Sequence, residues 1–286
     1  MTRRALLLIP IAVALALVLA LPALNRLAAP PAPLRFAMGR GPTIVLLHGA
    51  GSSLQHWLPT ARLLARDHRV VLVELPGQGV NPMPEPLTLD GAAAALDAAL
   101  VAEAKEPVVL VGHGVGGLVA AAEALDHPEH VRALVLVEAA LRPQVGEEER
   151  GERLESIDLD YHRLLRRMYA RLARDSAQAV KLYVQAGKAD PATLKPWLRL
   201  ELFADVSLRM RHLLPPLLAV FGERSWPREQ PWTGIAQKLG YGEAPNAKTA
   251  RLEGCGHFVM LDRPEELARL IEHFARDTSH AAVAAR

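Results

Sequence analysis

Five continuous apolar runs constrain this chain more than any other feature. They are TIVLLH (43–48), RVVLVEL (69–75), PVVLV (107–111), VRALVLVEA (131–139) and PLLAVFG (216–222). A strand with one wet face alternates apolar and polar residues, and these runs do not. Unbroken runs of Val, Leu and Ile mark parallel strands covered on both faces. Between them lie segments with helical apolar spacing: 54–67, 87–104, 115–126, 231–240 and 263–278. NAKTARLE (246–253) reads as one more strand. Strand and helix in alternation predict a doubly wound, mostly parallel α/β sheet.

The alternation breaks once. Residues 142–213 contain no strand-like run, and RLESIDLDYHRLLRRMYARLARDSAQAVKLYV (153–184) reads as one amphipathic helical stretch. Leu164, Leu165, Met168 and Leu172 share a face, and Arg163, Arg166, Arg167, Arg171 and Arg174 dominate the rest. The α/β pattern then resumes, so 142–213 is a helical insertion into one domain made of 35–141 and 214–278, followed by a flexible tail at 279–286. The Arg-rich face reads as a solvated surface, with contact to anionic headgroups as the alternative. Within the core, Asp90 is the candidate cap of the helix at 87–104, and Ser52, Ser53, Leu54, Gln55 fit a capping box.

The N-terminus adds a separate expectation. No charged residue occurs from Ala5 to Leu24. As a helix that stretch spans about 30 Å, the thickness of a bilayer core. Arg26 and Leu27 spoil the small-residue site that a signal peptidase needs, so residues 1–27 read as a retained membrane anchor. Cleavage near residue 29 would instead release a secreted protein. Arg3 and Arg4 favour an N-in orientation and an extracytoplasmic bulk. AAPPAP begins a stiff linker over 28–34. The formal net charge is +2, with charges of both signs mixed, so no nucleic-acid partner is expected. The single cysteine, Cys255, excludes an internal disulfide. No metal or cofactor is expected either.

Five short motifs now stand in order. They are LLHGAGSSLQHW, VELPGQG, VGHGVGG (111–117), FGERSWP and GCGHFVMLDRPEEL. Together they resemble the α/β-hydrolase family, over about residues 43–278. The resemblance implies that the insertion is the family's cap. It also implies a triad of nucleophile, histidine base and acid, with an oxyanion hole of backbone N–H groups.

Residue by residue, the resemblance is incomplete. His257 matches the base. The nucleophile position is Gly114, which has no side chain to attack with. The usual acid position is Ser225, which can hydrogen-bond an imidazole but cannot offset its charge. Glu138, at the end of VRALVLVE, is the candidate replacement acid, because some family members carry the acid at that strand end. Glu223 is the weaker candidate. His113 is expected packed beneath the turn, and Cys255 directed away from the pocket. The oxyanion donors would be the N–H groups of Ala50 and Val115, which do not depend on side-chain identity. Glu74 and Gln78 depart from the family's usual turn.

Two functions follow. One is a membrane-anchored pseudo-hydrolase that binds a small acyl or ester-like ligand or a partner. The other is a hydrolase or lyase in which His257, oriented by Glu138, acts as general base on water or substrate. An ordinary serine hydrolase altered only at Gly114 is disfavoured, because Ser225 departs as well, unless Glu138 supplies the acid.

Overall fold

The computed structural model describes residues 35–79, 81–244 and 246–284. The expected anchor and linker therefore lie outside the described residues. Among the described residues no helix is long and apolar enough to cross a membrane.

Among the described residues, seven strands make one sheet. They are β1 (Arg35–Met38), β2 (Thr43–Leu47), β3 (Arg69–Val73), β4 (Val108–His113), β5 (Val131–Val137), β6 (Leu217–Gly222) and β7 (Lys248–Leu252). Their order is β1-β3-β2-β4-β5-β6-β7, antiparallel only between β1 and β3. The five apolar runs form β2 to β6, and nearly every residue in those strands is buried. Each fully buried Val or Leu favours folding by roughly 1.5–3 kcal/mol over its exposed state.

The helices are α1 (Leu58–Leu64), α2 (Leu89–Glu103), α3 (Val115–Asp126), α4 (Glu147–Leu159), α5 (Tyr161–Leu172), α6 (Ser176–Ala186), α7 (Pro191–Glu201), α8 (Trp232–Leu239), α9 (Val259–Asp262) and α10 (Pro264–Ala284). In packing, α1 meets α10 and α2 meets α3. The last helix runs on to Ala284, beyond the expected end at 278.

Three local expectations are corrected. The stretch 153–184 is not one helix but parts of α4, α5 and α6. Asp160 leaves helical geometry at φ −135°, and Asp175 caps α6 by accepting the N–H of Gln178 at 2.8 Å. The next helix, α7, starts the same way, with Asp190 accepting from Ala192 N at 2.9 Å and Pro191 at its first position. Such caps stabilise by about 1 kcal/mol each. The cap of α2 is Thr88, not Asp90: its hydroxyl accepts from Gly91 N at 3.0 Å. The Ser-Ser-Leu-Gln capping box does not form. Ser53 makes no cap bond, and Ser52 Oγ instead contacts His56 Nδ1 at 2.5 Å.

The inserted helices lie over the carboxyl ends of the strands, held by polar contacts. Tyr169 donates to Gly51 O at 3.0 Å, Trp197 Nε1 to Pro76 O at 3.0 Å, and His257 N to Leu172 O at 2.8 Å. Gln78 reaches Thr193 O at 3.3 Å, and Glu74 accepts Leu54 N at 3.3 Å. The two departures in VELPGQG thus have structural roles: one fastens the insertion, the other the turn after β2.

Candidate active site

Ligand sites in open parallel sheets form beyond the carboxyl ends of the strands. Gly114 follows β4, Glu138 follows β5, Ser225 lies in the turn after β6 and His257 follows β7. Register brings the first two together: His113 pairs with Val137, and Gly114 N donates to Val137 O at 3.1 Å.

Gly114 has φ +54° and ψ −126°, the sharp strand-to-helix turn on which this fold presents a nucleophile. The turn is tight for steric reasons. A Cβ on Gly116 would meet His48 O at 2.1 Å, and one on Gly117 would meet the Ala139 Cβ at 2.4 Å. Gly114 differs. A Cβ there would stand 3.4 Å from His257 Nε2 and 3.8 Å from Gly49 Cα, both ordinary contact distances. The place of a side chain is open, and the imidazole faces it.

Glu138 sits at φ +52°, a left-handed conformation that an ordinary residue adopts at some cost. Its backbone N–H donates to Val220 O at 2.9 Å. The carboxylate is 1% exposed. Oε1 accepts from Gly222 N at 2.5 Å, and Oε2 accepts from both Ser225 Oγ at 2.5 Å and His257 Nδ1 at 3.1 Å. Ser225 therefore helps to hold the carboxylate that faces the histidine. Glu223 has no such contact.

His257 is fixed on both backbone sides: its N–H donates to Leu172 O, and its carbonyl accepts from His113 Nε2 at 3.0 Å. The His113 ring lies 4.5 Å from that of His257. Burial, and then the neighbouring His257, keep the His113 imidazole well below its ordinary pKa, so it is the neutral support beneath the turn. Cys255 is buried and donates to Leu252 O at 3.2 Å. Its thiol is pushed up to about 11, first by burial and then by Glu138, which makes it inert as a nucleophile.

Above Gly114 opens a cavity of about 1090 Å³. Ala50, Val115, Glu138, Ser225 and His257 all line it. Val115 opens α3, so its N–H has no acceptor within the helix. The insertion supplies the outer wall, including Arg167 and Arg171 of the Arg-rich face. One wall residue has no signature in the sequence. Glu201, the last residue of α7, faces the cavity; burial pushes its carboxyl up to about 7, opposed by the pull of His257.

An imidazole held by a carboxylate over such a turn, at the carboxyl edge of a mostly parallel sheet, defines the class as a hydrolase fold. The model of the Alpha/beta hydrolase family matches residues 44–270, and the chain belongs to that family. It is 41% identical over 103 residues to RutD of Escherichia coli O157:H7, which is named for carbamate hydrolysis. That match covers 35% of this chain and 39% of the relative, so well under half of RutD is spanned. Among solved structures it resembles a hydrolase from Oleispira antarctica, with TM-score 0.73 and 17% identity over 86% of this chain and 95% of the other. It also resembles the enol-lactonase of Burkholderia xenovorans LB400, with TM-score 0.72 and 18% identity over 85% and 96%. At these identities the structures share the fold.

Proposed function

We propose that this protein hydrolyses a small acyl or ester-like compound with His257 as general base on water and without a covalent enzyme intermediate. One observation carries the reading: His257 bridges a buried carboxylate on Nδ1 and the open position over Gly114 on Nε2. Glu138 fixes the tautomer with the proton on Nδ1 and stabilises the imidazolium. A water over Gly114 gives one proton to Nε2 as its oxygen attacks the acyl carbon. The N–H groups of Ala50 and Val115 face the developing oxyanion. The imidazolium then returns the proton to the leaving oxygen or nitrogen. A strained residue such as Glu138 persists where its surroundings enforce it, which supports a retained role. The names of RutD and of the enol-lactonase support a substrate of the acyl class.

A second reading, a binding protein without turnover, draws on the glycine at 114, which removes the covalent step. Steady-state hydrolysis of a panel of small esters, lactones and carbamates separates the two. Turnover lost in His257→Ala supports the enzyme; tight binding of panel members without turnover supports the binder.

We also propose that residues 5–24 anchor the chain in a membrane with the bulk extracytoplasmic. The unbroken apolar run and the Arg3-Arg4 pair support this reading. Cell fractionation with intact-mass analysis tests it: a full-length chain in the membrane fraction is expected, and a shortened soluble chain would instead indicate a cleaved signal.

A further inference from the structure

A second cluster of reactive side chains lies at the opposite end of β5 from the candidate active site. β5 starts just after His130 and ends just before Glu138, so about 23 Å of strand separates them. Here α2 carries Asp97, α3 carries Glu123, and the short connection from α3 to β5 carries His127 and His130. One ligand atom from each of Asp97, His127 and His130 lies within 4.8 Å of the other two. The side chains are 25%, 42% and 32% exposed, open enough for an ion to enter.

Glu123 is the independent observation. It is fully buried, and among the described residues no N–H or hydroxyl donates to either carboxylate oxygen, so the Asp97 carboxyl is its polar neighbour. Its carboxyl faces that of Asp97, with Asp126 and Glu129 close enough to add negative charge. Glu123 lies in the last turn of α3, and His127 follows that helix directly. Two carboxyls directed at one another are stabilised by a proton or by a cation placed between them. Asp126 is paired with Arg209, and no ion pair involves Glu123 among the described residues.

We propose that Asp97, His127 and His130, backed by the Glu123 carboxyl beside Asp97, form a binding site for a divalent transition-metal ion, of which zinc is the type. Two imidazoles and a carboxylate, with water completing the shell, are a nitrogen–oxygen set suited to zinc, nickel or cobalt. Asp97 Oδ1 and His130 Nδ1 are now 2.7 Å apart, joined by a hydrogen bond. Ligand atoms around tetrahedral zinc sit roughly 3.3 Å apart, so the pair opens by less than 1 Å to admit the ion. The bound ion would tie α2 to the α3–β5 connection, far from His257, in a structural role independent of the hydrolytic reading.

The test uses the full chain in detergent, purified without a histidine tag and stripped with EDTA. Calorimetric titration with zinc is expected to show saturable binding of one ion per chain, micromolar or tighter, with a raised Tm. Cobalt is expected to give the absorption bands of a four-coordinate site. The double change His127→Ala/His130→Ala and the isosteric Glu123→Gln, which keeps the helix if the double variant fails to fold, are each expected to weaken zinc binding about tenfold or more. Absence of saturable uptake by the native chain, or unchanged affinity in either variant, overturns the proposal.

Discussion

His257 Nε2 stands 3.4 Å from the point where a side chain on Gly114 would begin. The imidazole therefore faces the space that a side chain on residue 114 would enter. Gly114→Ser puts a hydroxyl within reach of the imidazole. The variant is expected to be labelled by a fluorophosphonate probe and to hydrolyse simple esters about 100-fold faster than the native chain. Adding His257→Ala is expected to abolish both effects. The left-handed backbone at 114 makes the serine cost about 1–3 kcal/mol, read as a Tm several degrees lower.

Glu138 and Ser225 contribute unequally. Glu138→Gln leaves a hydrogen-bonding group but removes the charge opposite the imidazolium. It is expected to lower kcat for ester hydrolysis about 100-fold or more. Ser225→Ala removes one of the donors to Glu138 Oε2 and is expected to cost less than about tenfold. Steady-state kinetics on one ester rank the two.

Glu201 gives stability a pH dependence of known sign. Its carboxyl titrates near 7 in the fold and at 4.5 as an ordinary glutamate. The folded chain holds this proton longer than the unfolded chain. Its stabilising contribution is full below about 4.5 and is lost as pH rises through about 7. Glu201→Gln cannot lose a proton, so the variant is expected to match the native chain near pH 4 and to exceed it in Tm near pH 8. Denaturation curves across that range check the slope.

Gly116 tests whether the turn is kept for packing. A Cβ there meets the backbone carbonyl of His48 at 2.1 Å, and no rotamer relieves such a clash. Gly116→Ala is expected to destabilise the fold by about 3 kcal/mol, measured by urea denaturation.

The sheet was readable because β2 to β6 are buried on both faces and must be apolar along their whole length. β1, RFAM, leaves no signature in the sequence: it is a four-residue edge strand, half exposed, with no periodicity. The breaks inside 153–184 are hidden in the sequence because an amphipathic pattern continues through Asp160 and Asp175, and only the local backbone there ends the helices. In the same way Thr88 outcompetes Asp90 through backbone geometry invisible in composition. At the site, motif order marks His257, Gly114 and Ser225, and a place at a strand end marks Glu138. Glu201 had no such marker, because its approach to the cavity depends on how the inserted helices pack.

Water attack without an acyl-enzyme is the central claim, and a single-turnover reaction in 18O-enriched water addresses it directly. Product and protein are followed together by mass spectrometry while the native chain and His257→Ala hydrolyse one small ester. The account predicts heavy oxygen in the released acid, no acylated protein at any time, and a loss of about 100-fold or more in the variant. An acylated chain, or equal rates with and without His257, would contradict it.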